Sequence, residues 1–224
     1  MNKIKILSDE IINQIAAGEV LDRPSSAVKE LIENSIDANS KKISIFVRDG
    51  GKAEIVVSDD GNGISKQELE LAVTRHATSK LNEKKINALS FLGFRGEALP
   101  SIGSVSEMII KSNTDNDQDG MMLEVISGIK KKIKPVNHRK GTTVSVKKLF
   151  FSTPARIKFL KTDNYESLLI KRIVQKLALC NFHIDFDLTI NNKKAILTKS
   201  DQSIDKKKNV RKESNNFTRP SIYR

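Results

Sequence analysis

Glu30 and Asn34 stand four residues apart in a stretch whose apolar positions Val28, Leu31, Ile32 and Ile36 recur at helical spacing. On a helix that spacing sets two side chains about 40° apart on one flank. A carboxylate beside an amide oxygen can orient a water and hold a hard cation such as Mg²⁺, which takes oxygen ligands and keeps waters. With Glu33 and Asp37 close by, the pair equally suits a solvated helix face. A second group is Asp59-Asp60-Gly61-Asn62-Gly63, directly after an apolar run. Two glycines one residue apart admit positive φ and a close approach of backbone to ligand. An Asp at a strand end can accept from an exocyclic amine. An acidic turn is the plainer reading; a calcium loop fails because Gly61 and Gly63 occupy ligand positions.

Further along, Ala77-Thr78-Ser79-Lys80 precedes Gly93-Phe94-Arg95-Gly96-Glu97-Ala98-Leu99. Backbone N–H groups flanked by glycine, hydroxyls and a lysine are the materials of a phosphate cradle. The spacing is neither a P-loop nor a dinucleotide fingerprint. Gly141-Thr142-Thr143 opens a β-branched run and alone is a strand start. His76 reads as a structural residue, His138 as a loop residue, and Cys180 as a small core residue at the end of an apolar helix.

These groups need elements to carry them. Residues 8–38 read as two helices, the second opening at Arg23-Pro24-Ser25-Ser26. Alternation predicts strands over 43–49 and 53–58, joined by Asp49-Gly50-Gly51. A helix follows over 65–73, then strands at 106–112, 122–127 and 142–147. A helix over 164–179 and strands at 183–190 and 194–198 complete the pattern. Residues 76–103 show no clean period and read as a functional loop. Mixed elements without regular βαβ alternation give an α+β fold: a two-layer α/β sandwich on a mixed, largely antiparallel sheet.

The chain has 224 residues, 39 Lys+Arg, 27 Asp+Glu and a net charge of +12. The charge suits a polyanion but also serves solubility. One cysteine excludes a disulfide framework and a cysteine-rich zinc site. No apolar run reaches membrane-span length and no apolar signal block opens the chain, so a soluble intracellular protein is expected. Residues 130–148 hold eight Lys/Arg and no acid. With Arg156, Lys158 and Lys161 they could touch phosphates without sequence preference, or form a solvated strand-loop-strand.

The order of the groups carries more than any one of them. A helical Glu/Asn pair, Asp-x-Gly-x-Gly after a strand, a Gly-rich loop and Gly-Thr-Thr on a strand resemble the four-motif ATP site of the GHKL, or Bergerat-fold, superfamily. Within it, several blocks resemble the N-terminal region of the MutL family of mismatch-repair proteins. They are residues Ile12 to Val20, Arg23-Pro24, Val28 to Ala38, Arg75 to Lys80, Leu92 to Leu99 and Phe151 to Leu160.

The resemblance implies an ATP-binding, slowly hydrolysing, Mg²⁺-dependent switch of DNA mismatch repair. Glu30 would be the general base for the attacking water and Asn34 the Mg²⁺ ligand. Asp59 would accept from the adenine amine, Gly63 would let the base approach, and Thr143 would support Asp59 or the base. Thr78, Ser79, Lys80, Gly93, Phe94, Arg95 and Gly96 would form a lid around the triphosphate, within a lid region at 76–103. It further implies ATP-dependent pairing of N-terminal halves through an arm at 1–20. DNA held by non-specific phosphate contacts, a MutS-like mismatch-recognition partner and a cytoplasmic, nucleoid-associated location also follow. Residues 1–199 would form the ATPase domain. The basic tail at 200–224 would stand where a second subdomain, with a lysine for the γ-phosphate, should begin; no nicking domain is recognised. The alternatives are a non-hydrolysing ATP- or DNA-binding module, or another ATPase of the superfamily.

Overall fold

The computed structural model describes residues 17–18, 20–75, 77, 96–115 and 117–200. The predicted pattern is present in nearly every long element. Helix α1 runs Pro24–Asp37, with Pro24 in the first turn, where its missing N–H costs nothing. Strands β1 (Lys42–Arg48) and β2 (Glu54–Asp59) form an antiparallel hairpin through a 3-10 turn at Asp49–Gly51. Helix α2 (Lys66–Ala72) follows. After helix α3 (Ala98–Ser104) come β3 (Glu107–Asn113), β4 (Gly120–Ile126), β5 (Ile129–Lys130), β6 (Lys134–Val136) and β7 (Gly141–Lys147). Helices α4 (Pro154–Phe159) and α5 (Asp163–Cys180) lead into β8 (Asp185–Ile190) and β9 (Lys193–Thr198).

The strands form one sheet in the order β5-β4-β3-β7-β2-β1-β8-β9, with β6 also paired to β4. Every pairing is antiparallel except β1–β8. That parallel pair requires a crossover connection, which α5 supplies. Strand β1 shows strict alternation of buried and half-buried residues, so one sheet face is covered and the other is not. Helices α1, α3 and α5 share the covered face. The core joins Val28, Leu31 and Ile32 of α1 and Ile170 and Val174 of α5 to Ile43, Ile45, Ile55, Val57, Met108, Ile110, Val146, Phe186 and Leu188 of the sheet. Each such side chain contributes roughly 1.5–3 kcal/mol by leaving water.

Two local expectations need correction. Residues 98–104, read as part of an aperiodic loop, are a helix with Ser101, Ile102, Gly103 and Ser104 buried. Apart from Ile102 its buried residues are small, so no apolar period marks it; Gly103 lets it lie against Met108 and Val125. Cys180 is exposed rather than core. The buried stripe of α5 is Ile170, Val174 and Ala178, and position 180 falls off that arc. The residues before Ala17 and after Ser200 lie outside the described residues, so the expectations for an arm at 1–20 and a tail at 200–224 rest on sequence. Among the described residues, no helix is long and apolar enough to cross a membrane.

Candidate functional site

Asp59 ends β2 on the helix-facing side, in line with the buried Ile55 and Val57. The α1 helix passes over it. Ser35 Oγ donates to Asp59 Oδ2 at 2.8 Å. The Gly61 N–H donates to Oδ1 at 2.9 Å, and the Thr142 N–H, across from β7, reaches the same oxygen at 3.2 Å. Burial pushes the Asp59 carboxyl above its ordinary value, and these donors offset that only in part.

The loop that follows is held by close approach. A Cβ on Gly61 would lie 2.7 Å from both the Ala38 carbonyl oxygen and Ser40 Oγ. Gly63, at φ +75°, abuts the carbonyl of Asn113 at the end of β3. Gly141, at φ +111°, abuts the Asp59 carbonyl. Positive φ and absent side chains let three chain segments converge on one carboxylate. Asp60 turns away and accepts from the Lys41 and Lys42 N–H groups, fixing the start of β1.

Asn34 and Glu30 lie close together on α1, roughly 100° and 140° around the helix axis from Ser35. Both are half-buried. Lys29 lies 3.5 Å from Glu30 Oε1 and 2.8 Å from Glu33 Oε2. Burial alone would lower the Lys29 ammonium, but the Glu33 and Glu30 carboxylates together hold it above its ordinary value. Among the described residues, no group of three or more His, Cys, Asp or Glu could hold a metal. One amide oxygen beside a carboxylate fits a cation that arrives with phosphate ligands, as Mg²⁺ does, better than one caged by protein.

The structure places Asn34 and Glu30 on the helix that contacts Asp59 through Ser35, and Gly63 in the loop that leaves Asp59. It does not bring Thr143 to Asp59. Strand parity sets Thr142 on the covered face with Val144 and Val146, and Thr143 on the opposite face. There Thr143 Oγ1 is bonded to Ser58 Oγ at 2.8 Å and His138 Nε2 at 2.9 Å. The support expected from Thr143 comes from its neighbour Thr142, and the alternation of β7 was a signal that could have shown it. Ser35 was also missed, since its small polar side chain carries no motif of its own, and Gly61 was read in the Asp-x-Gly-x-Gly motif without its N–H bond to Asp59. Gly96, at φ +62°, leads into α3. His76, Thr78, Ser79, Lys80, Gly93, Phe94 and Arg95 lie outside the described residues.

The basic segment is partly spent on the fold. Lys130 bonds the Glu70 carbonyl and Thr74 Oγ1, Lys140 pairs with Asp115, Lys147 with Glu54 and Lys148 with Glu107. Lys131, Lys132, Lys134 and Arg139 are exposed along the β5–β6 edge and the turn into β7.

Comparison with known proteins bears on this arrangement. The family described as histidine kinase-, DNA gyrase B-, and HSP90-like ATPase matches residues 23–148. The chain is 46% identical over 208 residues to the DNA mismatch repair protein MutL of Rickettsia bellii, covering 93% of this chain and 34% of that protein. It is 48% identical over 185 residues to MutL of Afipia carboxidovorans, covering 83% and 30%. The chain thus spans about a third of the length of the curated relatives it matches. Among solved structures, the Aquifex aeolicus MutL ATPase domain complexed with ADP superimposes with a TM-score of 0.71 at 29% identity, covering 86% of this chain and 70% of that one. The N-terminal domain of a DNA repair protein gives 0.70 at 30% identity, covering 85% and 57%.

Proposed function

Since this chain belongs to the histidine kinase-, DNA gyrase B- and HSP90-like ATPase family, we propose that its pocket binds ATP with Mg²⁺ and hydrolyses it slowly, as the switch module of a MutL-like mismatch-repair protein. The observation that carries this is the Asp59 carboxylate, fixed by Ser35, Gly61 and Thr142 at a strand end. Such an acceptor suits an adenine amine. The likeness to an ATPase domain complexed with ADP supports the same ligand class.

Each residue has a task in this reading. Asp59 accepts from the base amine, and the glycine loop at 61–63 brings backbone against the ring. Glu30 holds the attacking water and takes its proton. Asn34 offers the amide oxygen that would hold Mg²⁺, which when bound offsets charge on the phosphates. Residues 78–80 and 93–96 close over the triphosphate as a lid. Closure that orders chain around the nucleotide is a switch, and slow hydrolysis times it. Pairing of N-terminal halves, non-specific DNA contact and a MutS-like partner belong to the same proposal.

Glu30→Ala tests it. The variant should bind ATP as the parent chain does and lose turnover by a hundredfold or more, on the order of a general base's contribution. A variant that loses binding instead places Glu30 in the nucleotide frame and refutes its role as base.

A further inference from the structure

Thr142, one of the residues that hold Asp59, is itself fixed by a more distant side chain. Ser112 lies on β3, facing the core, with 1% of its surface exposed. Its Oγ accepts from the Ile64 N–H at 2.7 Å, in the loop just beyond Gly63. The same oxygen lies 3.1 Å from the Gly141 carbonyl and 2.8 Å from Thr142 Oγ1.

A hydroxyl has one proton and two lone pairs. The Ile64 N–H uses one lone pair. The Gly141 carbonyl can only accept, so it takes the Ser112 proton. Thr142 must then donate into the second lone pair. This assignment makes all three contacts; the reverse one forfeits the Gly141 contact. It commits the Thr142 proton to Ser112, and the Thr142 oxygen is left with lone pairs only. Thr142 sits beside Asp59 on the same sheet face, its N–H already on Asp59 Oδ1.

We propose that Ser112 is a positioning residue that sets base specificity. By drawing the Thr142 hydroxyl proton away, it leaves a wall of acceptors beside Asp59. That wall favours a purine nucleotide with a 6-amino group over one with a 6-oxo group, whose carbonyl would meet lone pairs. The inference rests on the reading of Asp59 as the base acceptor. It goes beyond that reading by assigning selectivity to a buried residue outside the pocket.

The test compares binding of ATP and inosine triphosphate, which differ at the purine 6-position and its adjoining ring proton, by calorimetry on the full chain. In Ser112→Ala the Thr142 hydroxyl is free to turn and donate. The ATP-to-ITP affinity ratio should fall about tenfold, the scale of one hydrogen bond. Thr142→Val should lower the ratio as well, and the double variant should fall no further than Thr142→Val alone. Equal weakening of both nucleotides in Ser112→Ala, with the ratio kept, would show a purely structural role and overturn the proposal. Should Ser112→Ala fail to fold, an unchanged ratio in Thr142→Val overturns it just the same. A parent chain that binds neither nucleotide removes the ATP reading and this inference together, an outcome distinct from equal loss in a variant.

Discussion

Replacing Gly63 by Ala separates two reasons for a glycine. The sequence suggests that Gly63 gives a ligand room; the structure shows that it gives Asn113 room. A Cβ there would lie 2.7 Å from the Asn113 carbonyl carbon, where ordinary contact begins at 3.4 Å, and would overlap the carbonyl oxygen. The backbone at φ +75° adds about 1–2 kcal/mol of strain for any L side chain. Forcing a methyl into packed backbone adds a further ~1–3 kcal/mol. Gly128 supplies the control. Its φ is +84°, but the nearest atoms to its Cβ are at 3.8 Å, so Gly128→Ala carries the strain alone. The two variants should therefore differ by about 2 kcal/mol, with Gly63→Ala the worse. In a domain of this size that is a gap of roughly 4–8 °C in melting temperature. Thermal and urea unfolding without nucleotide are the assays. Equal stability of the two variants would refute the close approach at Asn113, and any loss of ATP binding in Gly63→Ala could then be credited to the ligand.

Two further predictions follow from buried carboxylates. The folded Asp59 keeps its proton to a higher pH than the unfolded chain, because burial raises its carboxyl. Stability should therefore fall as pH rises from about 4, and Asp59→Asn should flatten that slope in urea titrations. ATP affinity should move the other way, weakening as the pH is lowered into the same range, since a protonated Asp59 no longer offers two acceptor oxygens. Glu166 is fully buried; its Oε1 accepts from the Lys161 N–H at 3.0 Å, and Oε2 lies 3.9 Å from Arg23 Nη1. Glu166→Ala strands that N–H and should cost about 1–3 kcal/mol, whereas Glu166→Gln keeps the acceptor and should cost less; equal losses would refute the hydrogen-bond account.

What could be read from the chain depended on periodicity. Val28, Leu31 and Ile32 announce α1 because burial on one helix face demands that spacing, and the same holds for the alternation of β1 and β7. Helix α3 left no hydrophobic period because, Ile102 apart, its buried residues Ser101, Gly103 and Ser104 are small and pack by closeness; only the family resemblance implied a helix after Gly96. The short strands β5 and β6 depend on pairing with β4 rather than on pattern. At the site, Asp59 was legible because a carboxylate between a strand and two glycines is unusual. Ser35, Thr142 and Ser112 were not. Their roles exist only once α1 crosses β2 and the register sets β7 against β2 and β3, and no short-range signal encodes that register.

The same geometry says how the proposed pocket would respond to a ligand. A carboxylate taken from water needs donors, and Asp59 draws them from α1, from its own loop and from β7. Its raised carboxyl shows that these donors fall short of replacing water. A ligand amine arriving at Asp59 favours the ionised form and so makes good part of the deficit. Binding and ionisation are therefore coupled, and the coupling is local to the point where α1, the glycine loop and β7 meet. Glu30 and Asn34 lie on that same helix, Asn34 next to Ser35 and Glu30 five residues before it. An amine at Asp59 thus steadies the segment that carries the residues assigned to the water and the cation. On the proposed reading, recognition of the base at Asp59 would help organise the chemistry at the phosphates.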